Sequence, residues 1–258
     1  MKNFRKYGKE PFNIVIVHGG PGATGGVKQV AKTLSACHGV LEPLQTKTSI
    51  SGQIQELKAV VKENADLPII LIGHSWGAWL SIIFAARYPS YIQKLILISS
   101  APLEEKYALN IEKTRLDRLS KKTKAKVRLI TEKLNNPVMT NEEIDRFEKF
   151  IIEVDSYNPI FYKKGQKFNV KIFQKVWNEA VQLRKSGQLL KLCRRIKCPV
   201  VAIHGDYDPH PYQGVKKPLE LIIKNFQFIL LKKCGHTPWM EKEAKDKFYA
   251  AVELAINV

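Results

Sequence analysis

Gly73-His74-Ser75-Trp76-Gly77 constrains this chain more than any other segment. An unbroken apolar run, Leu67 to Ile72, leads into it, and a helix-like stretch, Ala78 to Tyr88, leaves it. Strand, sharp turn and helix therefore meet at one serine. A serine hydroxyl is a weak nucleophile until a turn presents it to a base. Such a turn crowds its neighbours, which explains glycines two positions away on either side. The helix behind it adds a dipole favourable to a developing anion.

Two further strands end in residues that could complete a site. Pro199-Val200-Val201-Ala202-Ile203 runs into His204-Gly205-Asp206-Tyr207-Asp208-Pro209. Phe226 to Leu231 leads into Cys234-Gly235-His236-Thr237-Pro238-Trp239. Both acids and the histidine fall just past the C-terminal ends of strands, the edge at which open α/β sheets assemble their sites. The order Ser, Asp, His matches that of nucleophile-elbow hydrolases. His236 would take the Ser75 proton, and an acid would fix the imidazole tautomer and stabilise the imidazolium. Asp206 and Asp208 compete for that role.

These segments, with the early His18-Gly19-Gly20-Pro21-Gly22 and the strand Lys94 to Ser100, resemble the α/β-hydrolase superfamily over nearly the whole chain. H-G-G-P-G paired with G-x-S-W-G is most similar to its proline iminopeptidase-like branch. The resemblance implies an α/β-hydrolase fold with a mostly parallel sheet flanked by helices. It implies Ser75, Asp208 and His236 as the triad, because the family's acid follows the pattern G-x-x-D. It places the oxyanion hole at the amides of Trp76 and Gly20, with Gly19 as the other candidate; Pro21 has no N–H to offer. His18 would brace that loop. His74 and His204 read as structural, and His38 and His210 as loop residues.

Residues 1–102 and 191–258 are expected to form the hydrolase core, with 103–190 as an inserted helical cap. Thr140-Asn141-Glu142-Glu143 reads as a capping box opening a helix through Ile144 to Ile152. A further helix, from Val170 to about Ser186, stops at Gly187. Only about a dozen residues precede the first clear strand, and Gly39 to Leu44 makes a poor one. The expectation is a shortened sheet of about six strands.

An enzyme removing an N-terminal residue needs a carboxylate for the substrate's ammonium. The cap offers Glu153, Asp155 and Glu179, of which Glu179 beside Trp177 matches the resemblance best, although W-x-E differs from the branch's adjacent pair. The substrate class is a small ester, amide or short peptide. Carboxylesterase or thioesterase activity without peptidase activity is the nearest alternative. A lyase or a non-catalytic binding protein on the same scaffold is the more distant one.

Composition narrows the surroundings. No apolar run is long enough to span a bilayer, and the N-terminus lacks a signal peptide's apolar core, so a cytoplasmic protein without membrane insertion is expected. Cys37, Cys193, Cys198 and Cys234 lack zinc-site or disulfide spacing and read as reduced thiols. No metal or cofactor is expected. The net charge is +18, and much of it lies between Lys113 and Arg128. Without aromatic interleaving or a nucleic-acid fold, that stretch reads as a solvated helix face, not a nucleic-acid surface.

Overall fold

The computed structural model describes residues 3–121, 124, 141–160 and 167–257. Its frame is a seven-stranded sheet: β1 (Phe4–Tyr7), β2 (Ile14–Val17), β4 (Val40–Pro43), β5 (Ile69–His74), β6 (Ile92–Ile98), β8 (Val200–Gly205) and β9 (Phe226–Leu231). The spatial order is β1-β4-β2-β5-β6-β8-β9, and every pairing is parallel except the edge pair β1–β4. A two-residue ribbon joins β3 (Ala23–Thr24) to β7 (Lys167–Phe168).

The sheet exceeds the expected six strands by one, and β1 is the reason. Phe4-Arg5-Lys6-Tyr7 shows no apolar alternation. It is fixed by a buried acid on its partner: Glu42 accepts from Tyr7 Oη at 2.6 Å and from Arg5 at 3.2 Å. Gly39 to Leu44 also yields a real strand, β4, inside the sheet between β1 and β2.

Burial follows from composition. β2, β5 and β8 are buried along their whole length, as strands covered on both faces must be. Helix α3 (Trp76–Arg87) is buried from Trp76 to Ala86, which suits a helix apolar all round. It shares one core with α2 (Ile50–Asn64) and with α6 (Val170–Lys185), α7 (Gln188–Cys193) and α8 (Gln213–Ile222). The opposite face is covered by α1 (Lys28–Leu34) and α9 (Lys245–Asn257).

Between β6 and β8 the chain also forms α4 (Ile111–Asp117) and α5 (Asn141–Asp155). Leu119, Phe150 and Val154 make a small cluster of their own there, whereas Val176, Ala180, Leu189 and Cys193 join the main core. Asn169 caps α6 by accepting from Ile172 N at 3.0 Å, and Gly187 leaves it at φ 70°. Thr140 of the expected capping box, and Lys122, Lys126, Val127, Arg128 and Ile130 of the basic stretch, lie outside the described residues. No helix among the described residues is long and apolar enough to cross a membrane.

Candidate active site

Ser75 stands between the end of β5 and the start of α3 with φ 54° and ψ −117°. A non-glycine residue at positive φ is strained and persists only where its surroundings hold it. Here the Ser75 amide donates to Ile98 O on β6 at 3.0 Å. The glycine at 77 is a steric requirement, because a Cβ there would lie 2.4 Å from Val17 O and 2.6 Å from His18 O.

Three strand ends meet at this turn. His236, past β9, places Nε2 2.9 Å from Ser75 Oγ. Its Nδ1 lies 2.8 Å from Asp208 Oδ2, past β8. A carboxylate only accepts, so Nδ1 carries the proton and Nε2 is free to accept from the serine. The structure thus brings together Ser75, His236 and Asp208. Asp206 is occupied elsewhere: it accepts from Cys234 N at 3.3 Å and pairs with Lys232 at 3.6 Å. It is the β8–β9 tie, and Asp208 is the acid at the histidine.

The electrostatics suit a proton transfer. Burial pushes the Asp208 carboxyl up, but His236, His210 and His204 outweigh it and hold the pKa well below the usual carboxylate range. Burial opposes charge on His236 too, yet Asp208, with a smaller contribution from Asp155, raises its pKa above the ordinary 6.5. His74 is lowered by burial and then by His236 to about 3, so it stays neutral. Its Nε2–H donates to His236 O, 3.0 Å away, and its ring packs edge-on against Trp239.

The loop opposite carries Gly19 and Gly20. A Cβ on Gly19 would fall 3.0 Å from Ser75 Cβ, which places this loop directly over the serine. His18 braces it: its Nε2 accepts from Gln45 N at 3.2 Å and its Nδ1 donates to Gly19 O at 3.0 Å. Burial lowers its pKa to about 4 and keeps it in that neutral form. Gln45 also donates to His18 O and accepts from Trp76 Nε1, so one glutamine ties the glycine loop to the serine turn.

A second network holds the histidine loop to the α4–α5 segment. His236 N donates to Asp155 O at 2.7 Å. The buried Asp155 carboxylate takes two hydrogen bonds from Arg115, at 2.7 and 2.6 Å. Glu241, wholly buried, accepts from Gly235 N, Tyr157 N and Asn158 N, each at 2.8 Å. Arg118 donates to Val154 O and to Tyr207 O, one residue before Asp208. The sequence singles out Asp155 only as a cap acid and gives no sign of this network, because hydrogen bonds to main-chain groups and isolated charges carry no motif.

Glu179 and Trp177 are placed differently from the expectation. Glu179 Oε2 accepts from Ile50 N at 2.8 Å, in the first turn of α2, where an anion complements the helix dipole. Trp177 stacks between Trp79, at 6.0 Å, and Phe173, at 6.1 Å. Both line an open groove of about 1150 Å³ between α2, α3, α6 and α7, whose lining includes no member of the Ser75–His236–Asp208 set. The other two cap acids are also accounted for: Asp155 is paired with Arg115, and Glu153 is exposed.

His210, expected as a loop residue, is buried and lies 2.8 Å from Asp208 Oδ1. His38, expected likewise, pairs with Glu253 at 2.9 Å. Asp208, His210 and His236 are close enough in space for a metal. Both imidazole Nδ1 atoms lie at hydrogen-bonding distance from the one carboxylate, at 2.8 Å each. The four cysteines are free thiols.

The family model for the alpha/beta hydrolase fold matches residues 53–243. The chain is 24% identical over 258 residues to a proline iminopeptidase of Thermoplasma volcanium, covering 91% of this chain and 86% of that one. It is 28% identical over 121 residues to a mouse monoglyceride lipase, a match spanning 44% of this chain and only 35% of that protein. Among solved structures, VinJ superposes with a TM-score of 0.72 at 16% identity, covering 98% of this chain and 94% of that one. The chain belongs to the α/β-hydrolase fold family and is a hydrolase of that fold.

Proposed function

We propose that the protein is a serine hydrolase that forms an acyl-enzyme at Ser75 from a small, uncharged acyl ester. The observation that carries this reading is the hydrogen-bonded chain Ser75 Oγ–His236 Nε2, His236 Nδ1–Asp208 Oδ2, at 2.9 and 2.8 Å. His236 takes the serine proton as Ser75 attacks the carbonyl, and Asp208 stabilises the imidazolium. The oxyanion is received by the amides of Trp76 and Gly20, with Gly19 as the alternative donor. His236 then protonates the leaving alcohol. In the second half it activates water, which releases the acid and frees Ser75.

The choice of an ester over an N-terminal aminoacyl substrate rests on the acids. An aminopeptidase must meet the substrate's ammonium with an otherwise unpaired carboxylate in a water-poor site. Glu179 serves α2, Asp155 serves Arg115, and Glu105 serves Arg184. Residues 103–190, read as a cap over the site, therefore offer among their described acids no carboxylate that is both buried and unpaired. The likeness to an iminopeptidase keeps the peptidase reading as the competitor.

A panel of p-nitrophenyl esters of increasing chain length, run beside prolyl-naphthylamide and its N-acetylated form, tests the choice. The expected result is ester turnover with no preference for the free-amine naphthylamide. Turnover of the free amine alone would establish the aminopeptidase.

A further inference from the structure

Asp208 has more partners than a triad requires. Its side chain is wholly buried, and both oxygens are taken. Oδ2 accepts from His236 Nδ1 at 2.8 Å and lies 3.3 Å from His204 Nε2. Oδ1 accepts from the His210 main-chain N at 2.9 Å and from His210 Nδ1 at 2.8 Å. The His210 ring also lies against the His236 ring, with centroids 4.5 Å apart and planes tilted by 34°. One carboxylate thus holds two imidazoles side by side, only one of which reaches Ser75.

We propose that His210 is a positioning residue of the triad: its Nδ1–H fixes the Asp208 carboxylate and moderates that carboxylate's hold on the His236 proton. This rests on the serine-hydrolase reading above and assigns a role to a residue outside the Ser-His-Asp set.

Three arguments carry it. First, Oδ2 is met by His236 and His204, whereas the Asx-type main-chain bond from His210 N gives Oδ1 a single donor. The ring N–H supplies the second. Second, burial lowers the His210 pKa to about 4 against the pull of Asp208, so the ring is neutral, and because a carboxylate only accepts, its one proton sits on Nδ1. Third, every donor on a carboxylate disperses its charge, leaving less for the partner imidazolium. A general base must release the proton it accepts, so an acid that holds the imidazolium too tightly slows transfer to the leaving group.

The sign of the effect follows. Without the His210 donor, Asp208 holds the His236 proton more strongly, and His236 titrates at higher pH. Other ionisable groups facing His236 are His74 from β5, His204 from β8, Asp155 and Arg115 from the α4–α5 segment, and Glu241 behind Gly235. His74 and Arg115 also feel the His210 charge, and His204 Nε2 lies 2.9 Å from the His210 carbonyl. The His74 and His204 signals are therefore followed in the same titration, and a shift confined to His236 is assigned to the lost ring N–H.

The test uses His210→Phe, which keeps a ring against His236 but has no N–H, and His210→Asn, whose amide can donate from near the Nδ1 position. His210→Leu serves if the Phe variant does not fold. The His236 pKa is read by NMR of 15N-histidine-labelled protein, independently of turnover, and kcat and KM are measured with p-nitrophenyl butyrate across pH. The expected result for His210→Phe is a His236 pKa shifted upward and a kcat lowered by roughly ten- to a hundredfold with little change in KM, a cost typical of small misplacements. His210→Asn should restore most of both. An unchanged or lowered His236 pKa in His210→Phe overturns the proposal. So does equal impairment of the Phe and Asn variants, which would make His210 a space-filling ring. If the wild-type protein turned over neither ester nor prolyl amide, the serine-hydrolase reading would fail, while the NMR titration would still decide the role of His210.

Discussion

Replacing Arg115 by Met removes one partner of a buried pair and leaves the other in place. Asp155 retains only 4% of its side-chain exposure, so its carboxylate would remain charged with little water to receive it. Breaking a buried pair from one side costs about 3–5 kcal/mol. Arg115 itself is 24% exposed, so some water can follow the change, and the lower end, about 3 kcal/mol, applies. In a chain of this size that corresponds to a fall in Tm of about 6–12 °C. Arg115→Met/Asp155→Asn removes the orphan charge and should recover all but about 1 kcal/mol, since two well-packed neutral groups replace the pair. Urea unfolding at pH 7, followed by tryptophan fluorescence, gives each corner of the cycle. The Asp155 carbonyl holds His236 N, so ester turnover per folded molecule should fall with Arg115→Met and return in the double variant. A loss under about 1 kcal/mol for the single variant, or a double variant no more stable than it, would refute the buried-pair argument.

Asp208→Asn should lower kcat by about 10⁴ by imposing the wrong imidazole tautomer, and it should shift the ascending limb of kcat/KM to lower pH, since Asp208 is what raises His236; Asp206→Asn should do neither. Glu179→Gln should cost on the order of 1 kcal/mol through the weakened contact at Ile50 N and leave KM for both ester and prolyl substrates unchanged; a selective rise in KM for the prolyl amide would return Glu179 to substrate binding. Acid should destabilise the protein early. His18, His74 and His210 have folded pKa values of about 4, 3 and 4, below the ordinary 6.5, so the unfolded chain takes up protons that the folded one refuses as pH falls below 6.5. Each loses about 2 kcal/mol of stability between pH 6.5 and 5. His236, raised in the folded state, acts oppositely: its contribution is full below 6.5 and is lost as pH rises through its folded pKa. With three histidines against one, Tm should fall steeply from pH 7 to 5; a flat profile would show that these rings are not buried neutral.

What the sequence made legible were features with local physical signatures. The serine turn is bounded by an apolar run and a helix, the acid and histidine each follow an apolar strand, and Gly187 punctuates α6 where its φ of 70° requires it. Other features depend on partners far away in the chain. β1 is held by Glu42, more than thirty residues on, and its own polar sequence gives no alternation to read. Gln45, Asp155 and Glu241 act through main-chain groups of the glycine and histidine loops, and a hydrogen bond to a carbonyl leaves no mark on either residue type. His210 illustrates the boundary. Asp-Pro-His suggests a turn, and the turn is there, but that its ring folds back onto the same carboxylate is a tertiary fact. Glu179 shows the opposite case, a residue whose contact lies elsewhere than its neighbours suggest. Its neighbour Trp177 suggested a substrate site, whereas the packing of α6 against α2 delivers the carboxylate to a helix end.

The most direct measurement of the central claim is covalent labelling of the folded protein with a fluorophosphonate, read by peptide mass spectrometry. Phosphonylation requires a serine oxygen activated by its base, so the label reports the Ser75–His236 contact and not merely the presence of a serine. The account predicts one adduct, on the peptide containing Ser75. It should be absent in Ser75→Ala and slowed by orders of magnitude in His236→Ala, while both variants unfold with wild-type cooperativity. Folded wild-type protein that takes no label, or takes it at another serine, would contradict the account.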